Sequence, residues 1–368
     1  MNKPINTEYE YKQKLGISFL ATRRRYPNGT KHSTNINIMH NNRFYYPMIV
    51  LCLALTALLS SCVYEDEKPC PCEVRFVYNY NMEFADAFPS QVNWVKLFIY
   101  DDRGRFVSTV EDHITQHDGN YSLPLQLQAG TYTLVAWAGT DNTPSCYNIS
   151  PQQPTTENSI DQLQLNLKLG DTQTVYDKSP EDLWHGITEH FTVSETAPSL
   201  AVVPLVKDVN RFKVLIQSAD DKPLTANDYS LAIKAANHTY DYRNNLADCP
   251  TLEYRPYSMK EAVIDNQTAP TNSALLAEMA TLRLTTDKAS RFVVHNQKTN
   301  RDVFNIDLVK YLEMMRLDKY KDMSLQEYLD RENNYQIILL IGRDRNNAEV
   351  VLSLQINRWR IVFNDNDL

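Results

Sequence analysis

Glycine is scarce in this chain, with nine copies in 368 residues, about a third of the usual proportion of roughly 7%. No two glycines are spaced G-x-G and no G-K-S/T occurs, so the Rossmann fingerprint, the P-loop and the kinase glycine loop are absent. The G-x-S-x-G elbow of α/β-hydrolases is missing as well. The chain also lacks a basic surplus, since 37 Lys and Arg face 45 Asp and Glu, for a formal charge of -8. These absences argue against nucleotide-binding enzymes and nucleic-acid binders, whereas 22 tyrosines favour a β-rich binding or structural protein.

One apolar run, Met48 to Leu59, interrupts this composition. Its twelve residues are too few for a membrane span of about 20 but suit the apolar core of a secretory signal, and Arg43 supplies the positive charge upstream. A lipobox follows at Leu59, Ser60, Ser61 and Cys62. Small residues before a cysteine are what lipoprotein processing requires, and several acyl chains then hold the new N-terminus in a membrane. We therefore predict that Cys62 is lipidated.

The predicted leader, residues 1–61, is unusually long. A start at Met39 would leave a 23-residue signal of ordinary shape, and we expect that start; a long n-region that is translated is the alternative. The leader holds eight Lys and Arg against two Asp and Glu, so the mature chain of 307 residues carries a net charge of −14. It opens with an acidic tract at residues 63–67, which is similar to the tract that directs lipoproteins of Bacteroidetes to the cell surface.

Four cysteines follow in the mature chain: Cys70, Cys72, Cys146 and Cys249. In an oxidising compartment they could form disulfides with three connectivities, although Cys70 and Cys72 are too close to bridge each other. The C-P-C motif has no second C-x-x-C or His pair beside it, so we predict no metal and no cofactor apart from the lipid.

The mature chain is dominated by a period of two. Apolar residues alternate with polar ones from Tyr121 to Leu127, from Leu163 to Leu169 and from Leu352 to Ile356, as expected for strands with one buried face. Residues 92–100 and 105–110 flank a D-D-R-G turn and read as a hairpin, and residues 131–138 form another strand. Many short strands separated by turns are typical of an antiparallel sandwich.

A second series of strands begins after the Ala-Pro-Ser stretch at residues 197–199, which sets a predicted domain boundary near residue 200. The predicted strands are 210–217, 231–235, 280–285, 291–295, 335–341, 349–356 and 358–363. Helices are predicted at Phe304 to Leu317 and at Ser324 to Arg331, the latter opening with a capping box of Ser324 and Glu327. The domains are thus 62–200 with the acidic linker and 201–368, the second with short helical insertions.

In this order the segments resemble the FimB-type fimbrial anchor subunits of Bacteroidales. The segments that carry the resemblance are VRFVYNYNMEFADAFP (74–89), VKLFIYDDRGRFV (95–107), AGTYTLVAWAG (129–139), EDLWHG (181–186), VPLVKDVNRFKVLI (203–216), QEYLDRENNYQIILLI (326–341) and LQINRWRIV (354–362). The resemblance covers the chain from Cys62 onward and implies an all-β fold of two tandem transthyretin-like antiparallel β-sandwich domains.

The resemblance also implies a function. The protein would be a lipid-anchored subunit at the base of a fimbria, exposed on the outer membrane, with the membrane and the fimbrial stalk subunits as partners. It would attach the fimbria and limit or regulate its length, with contact to the stalk made by strand pairing at a free sheet edge. Leu352 to Phe363 is a candidate for that contact, although a plain core strand explains the segment better.

Enzymatic interpretations are weaker. His113 and His117 form an H-x-x-x-H, but Ile114 stands where a zincin requires Glu, and the segment reads as a loop between strands. His185 and His190 could join a site, but the resemblance implies that they are loop and strand-edge residues, and Trp184 is interpreted as a core or domain-contact aromatic. No pair of acidic residues is marked out as a glycosidase pair. We therefore predict a non-enzyme.

A surface glycan-binding or adhesive lipoprotein is the alternative to the anchor. It would share the lipobox and the tandem sandwiches, and it would present aromatic side chains on one exposed face, which the many tyrosines would permit. Binding of polysaccharides by the protein would favour it.

Overall fold

The computed structural model describes residues 70–363, apart from 116–118, 141–144, 171–172, 221 and 265–271. Strands dominate these residues, and the two longer helices lie in the second half of the chain. The predicted all-β class with helical insertions in the second half is confirmed.

The first half, residues 70–208, supplies ten strands. They are β1 (Cys72–Val77), β2 (Trp94–Asp101), β3 (Phe106–His113), β4 (Leu123–Leu125), β5 (Gly130–Gly139), β6 (Tyr147–Ser150), β7 (Gln164–Leu167), β8 (Val175–Tyr176), β9 (Leu183–Val193) and β10 (Ser199–Lys207). A four-residue helix, α1 (Phe88–Gln91), precedes β2, and a 3-10 turn at Ile160–Gln162 precedes β7.

The second half, residues 209–363, supplies eleven strands. They are β11 (Val209–Ser218), β12 (Tyr229–Ala235), β13 (Thr239–Asp241), β14 (Leu252–Tyr254), β15 (Ser258–Ile264), β16 (Asn272–Leu282), β17 (Ser290–Asn296), β18 (Arg301–Asp307), β19 (Asn334–Arg343), β20 (Glu349–Ile356) and β21 (Trp359–Val362). Two helices, α2 (Leu308–Lys319) and α3 (Leu325–Arg331), connect β18 to β19, and a 3-10 turn at Ala226–Asp228 precedes β12.

The prediction for the first of these two helices began too early. Phe304 and Ile306 belong to β18 and pair with β17, and the helix starts only after Asp307. The Asp307 side chain accepts from the Lys310 amide at 3.2 Å, which is an N-cap interaction that ends the strand and starts the helix. The predicted cap of the next helix is observed, since the Ser324 hydroxyl accepts from the Glu327 amide at 3.1 Å.

The first sheet has the strand order β3-β2-β5-β9-β10-β1-β4. Its strand β10 pairs with two different neighbours: the first six residues lie parallel to β1, and Leu205 to Lys207 lie antiparallel to β9. The ladder with β1 ends at Pro204, which has no amide hydrogen to donate. At this bend only glycine fits at position 186, because a Cβ there would lie 2.7 Å from the Pro204 carbonyl oxygen and 2.6 Å from Val203. The layers on either side of the bend enclose an apolar core that includes Phe76, Leu97 and Trp184.

Of the three remaining sheets, one is built from the second half alone and two combine strands of both halves. Their orders are β15-β16-β11-β19-β20-β21, β18-β17-β12-β14-β8 and β13-β7-β6. Strand β8 from the first half completes the second of these sheets by pairing with β14, and β13 from the second half pairs with β7. A single apolar core therefore runs from Phe98 and Trp137 in the first half to Phe212 and Phe292 in the second.

The predicted division near residue 200 stays a prediction. The strand that crosses it, β10, belongs to the first sheet along its whole length. Strands β8 and β13 each pair with a strand of the other half, and we call them the exchanged strands. Through them the two halves share backbone hydrogen bonds as well as side-chain contacts.

Candidate binding surfaces

The predicted lipidation site Cys62 lies outside the described residues, as do Leu59, Ser60 and Ser61 of the predicted cleavage motif. The described chain begins at Cys70 and enters the first sheet at Cys72, whose side chain is buried. Among the described residues, no helix is long and apolar enough to cross a membrane.

The four other cysteines are free thiols. Cys70 donates to the Glu195 carbonyl at 3.2 Å, and Cys146 lies 3.2 Å from the Glu181 carboxylate. Burial raises the pKa of Cys146 to about 12, and the neighbouring carboxylate also favours the protonated thiol. A disulfide among these cysteines stays a prediction. In the described part of the chain, no three His, Cys, Asp or Glu side chains are grouped so as to hold a metal ion.

The prediction for His185 was wrong. It lies within β9, is 3% exposed, and packs edge-on against Trp137 with ring centroids 5.5 Å apart. Burial lowers the pKa of His185 to about 4, so the ring is neutral at pH 7 and its Nε2–H donates to the Tyr242 carbonyl at 2.9 Å. His190 stands exposed at the irregularity of β9, with a positive φ of 58°. His113 ends β3, while His117 lies outside the described residues.

Trp184 is a core aromatic, one of the two interpretations that its sequence context favoured. Its ring is fully buried and meets Tyr78 edge-on, with centroids 5.7 Å apart. The Lys207 ammonium lies 5.0 Å from the centre of the same ring. This side chain is therefore unavailable as a platform for a sugar.

A cluster of charges joins the end of β10 to the start of β11. Asp182 accepts from Lys207 at 2.7 Å and from Arg211 at 2.7 Å. Arg211 also donates to the Ser179 hydroxyl and to the Pro180 carbonyl, at 2.9 and 2.8 Å. Burial opposes the charged guanidinium, but Asp182 outweighs it and raises the pKa of Arg211. Two cations thus share one carboxylate, which leaves a positive surplus.

A second charged cluster is more deeply buried. Arg283 binds both oxygens of Asp330, at 2.7 and 2.8 Å, and donates to the Asn244 carbonyl at 2.8 Å. The Asp208 carboxyl is fully buried and accepts from the Asn244 side-chain amide at 2.8 Å, but its second oxygen has no hydrogen-bond partner. Burial raises the pKa of Asp208 to about 7, against the opposing effects of the Arg283 charge and the Asn244 bond. The cluster ties β10 to α3.

Helix α3 also contacts the loop that follows β1. The Arg331 guanidinium lies 4.1 Å from the centre of the Tyr80 ring and 4.7 Å from that of Phe84. It donates to the carbonyls of Asn79 and Asn81, both at 3.2 Å. This stacking explains how Phe84 can be 57% exposed and still be held in place.

Among the described strands, none pairs with the outer side of β21, which ends the six-stranded sheet. Antiparallel pairs alternate between hydrogen-bonded and non-bonded positions, and the Phe363 amide donates to the Leu352 carbonyl at 3.0 Å. Val362, next in line, therefore directs its own amide and carbonyl away from β20. Its side chain is 59% exposed, so the edge offers both a strand template and apolar surface.

A cleft with a volume of about 660 Å³ opens at one end of β11 and β19. The polar side chains that line it come from four separate parts of the chain: Arg211, Lys213, Tyr257, Asn334, Gln336, Asn357 and Arg358. Lys213 and Gln336 are exposed cross-strand neighbours, and the Asn357 side-chain oxygen accepts from the backbone N–H of Gln336 at 2.8 Å. Sequence reasoning missed this cleft, although the period-two placement of Arg211 and Lys213 indicated that one face of β11 is basic.

A search against family models gives a match to the fimbrillin-A associated anchor proteins Mfa1 and Mfa2 over residues 65–365. The chain therefore belongs to the Mfa2 family of fimbrial anchor proteins. The resemblance drawn from the sequence is confirmed at the level of the family. The comparison with curated proteins gives no match.

Solved structures similar to this one include two from Bacteroides thetaiotaomicron. A putative polysaccharide binding protein is 29% identical, with a TM-score of 0.70, and a putative adhesin is 27% identical, with a TM-score of 0.71. Each match covers 81% of this chain and 100% of the other. The fimbrial anchor protein Mfa2 from Porphyromonas gingivalis is 21% identical and shares the fold, with a TM-score of 0.61 over 80% of this chain and 99% of its own.

Proposed function

We propose that this Mfa2-family protein attaches a fimbria to the outer membrane through a lipid on Cys62. Its contact with the stalk is a strand added at a free sheet edge, and a subunit tethered in this way also limits the length of the fimbria. Membership of the anchor family supports the role. The lipobox supports the attachment, because a single apolar run and the cysteine agree at one position.

The main support for the anchoring role is the way in which the chain runs from the proposed lipid site into the first sheet. Cys70 lies eight positions after Cys62, which at about 3.5 Å per position allows a reach of about 28 Å at most. The chain then enters β1, which lies between β10 and β4, inside the sheet. All six residues of β1 pair in register with β10. Because ladder hydrogen bonds run across the strands, tension along β1 loads them together.

The exchanged strands continue this path. Tension that reaches the first half passes to the second through the β7–β13 and β8–β14 ladders and through the shared apolar core. Two halves that share strands and a core suit a protein that is held by lipid at one end and pulled by a fimbria at the other.

The first test addresses the lipid. Cys62→Ala should abolish incorporation of labelled palmitate and release fimbriae into the medium, whereas Cys70→Ala, a cysteine eight residues away, should retain both label and fimbriae. Label in the Cys62→Ala protein would refute the lipidation site. Fimbriae that stay on the cells without the label would refute the anchoring role.

The second test addresses the stalk contact, for which we propose the free edge at β21. Val362→Pro removes an amide that points away from β20, so the sheet should keep its own ladder while the added strand loses a partner. Cells carrying this variant should shed fimbriae yet keep the labelled protein. Val362→Thr, which keeps the amide, is the matched control. Equal retention of fimbriae by both variants would contradict the proposed edge.

The third test addresses length. Cells that lack the gene should release fimbriae or bear fimbriae of altered length, as measured by electron microscopy. Attached fimbriae of normal length would contradict the proposal as a whole.

A further inference from the structure

The cleft at the end of β11 and β19 has an unusual balance of charge for this protein. The mature chain is strongly acidic, yet the described residues that line the cleft include three cations and no carboxylate. Lys213 and Arg358 are exposed, and nothing in the anchoring mechanism uses either of them.

The third cation is held rigidly. Outside the cleft, Arg211 donates to three groups, the Ser179 hydroxyl, the Pro180 carbonyl and the Asp182 carboxylate, and Asp182 also binds Lys207. The positive surplus of that cluster therefore adds to the charges of Lys213 and Arg358. Glu278 is the cross-strand neighbour of Lys213 on β16 and opposes this field from one side.

The backbone around the cleft decides which class of ligand fits. Strands β11 and β19 lie in the interior of the six-stranded sheet and are paired on both sides. An extended peptide would find no open ladder there. Recognition has to come from side chains, and those beside the cations are the amides of Gln336 and Asn357 and the hydroxyl of Tyr257, which pair readily with hydroxyl groups.

We propose that this cleft binds an acidic saccharide, a sugar unit that carries a carboxylate or a sulfate. The cations bind the anionic group, and the amides and the tyrosine bind the ring hydroxyls. A volume of about 660 Å³ lies within the usual range of ligand sites, roughly 300–1,000 Å³. The net charge of the chain is negative, so attraction of an anion to the cleft depends on the cations that line it and should weaken as salt is added.

The test uses the full-length chain in detergent, with chondroitin sulfate as the acidic polysaccharide, dextran as the neutral one and polyglutamate as the acidic peptide. Chondroitin sulfate should bind at low salt, and dextran and polyglutamate should bind at least tenfold more weakly. Lys213→Gln and Arg358→Gln should each weaken binding about two- to fivefold, as for other exposed ion pairs. Glu278→Gln should strengthen it, and Arg103→Gln, an exposed arginine in the β2–β3 turn, is the matched control.

Each other outcome overturns the proposal. Equal binding of polyglutamate would assign the cleft to an acidic protein segment, and equal binding of dextran would remove the role of charge. Unchanged binding by both Lys213→Gln and Arg358→Gln would place the site elsewhere. The result is independent of anchoring, because Cys62→Ala removes the lipid and leaves the cleft intact.

Discussion

Asp208 is a buried carboxyl group whose ionisation is opposed by burial, and replacing it with asparagine should stabilise the protein. Asparagine has nearly the same shape and retains an oxygen to accept the 2.8 Å bond from the Asn244 amide. It also places a donor where the carboxylate has an oxygen without a partner, beside an Asn244 side chain whose own oxygen is unpartnered. The substitution thus removes a buried charge without leaving a cavity.

The size of the effect follows from the pKa of Asp208. Its ordinary value is 3.8, and burial raises it to about 7 in the folded protein. Between these values the folded state binds the proton more tightly than the unfolded state, so the free energy of unfolding falls as pH rises. This loss of unfolding free energy is absent below about pH 4 and complete above about pH 7. At 1.36 kcal/mol per pKa unit it amounts to about 4 kcal/mol.

Urea unfolding of the parent and of Asp208→Asn, followed by circular dichroism from pH 4 to pH 8.5, measures this difference. The variant should match the parent near pH 4 and exceed it by up to about 4 kcal/mol at pH 8. Asp102→Asn, an exposed aspartate in the β2–β3 turn, should leave the pH dependence unchanged. A variant that is less stable than the parent at pH 8, or a difference that does not change with pH, would refute the reasoning.

Two further substitutions test the packing inside each half. Gly186→Ala should cost about 1–3 kcal/mol of unfolding free energy, because its Cβ would meet the Pro204 carbonyl oxygen at 2.7 Å. The control is Gly170→Ala, which has no atom within 4 Å and should change stability by less than about 0.5 kcal/mol. Equal effects of the two substitutions in urea unfolding would exclude the clash. Arg283→Met should cost about 3–5 kcal/mol because it leaves the buried Asp330 carboxylate uncompensated, and Arg283→Met with Asp330→Leu should recover much of that loss. A double variant no more stable than the single one would contradict this account.

Most strands could be predicted because they bury one face. In β11 the residues Phe212, Val214 and Ile216 are buried, and the residues between them face outward. Such alternation is visible in the sequence. Strand β9 was missed because its first four residues, from Leu183 to Gly186, are all buried and therefore do not alternate.

The same reason accounts for the error at His185. The family resemblance suggested a loop or strand-edge position for this histidine, but β9 passes between two apolar layers at this point, and the Tyr242 carbonyl that accepts its hydrogen bond comes from the second half of the chain. Periodicity reports one strand at a time and carries no information on which layer covers it.

The sequence alone indicated the family and the β character of the chain and predicted a targeting signal, because each depends on short motifs or local alternation. Only the tertiary structure decided that β8 and β13 cross between the halves and that Lys213, Gln336 and Arg358 share one cleft. These residues meet because β11 pairs in parallel with β19, more than a hundred residues later in the chain. Pairing at that separation is selected by the packing of whole layers, and no local pattern records it.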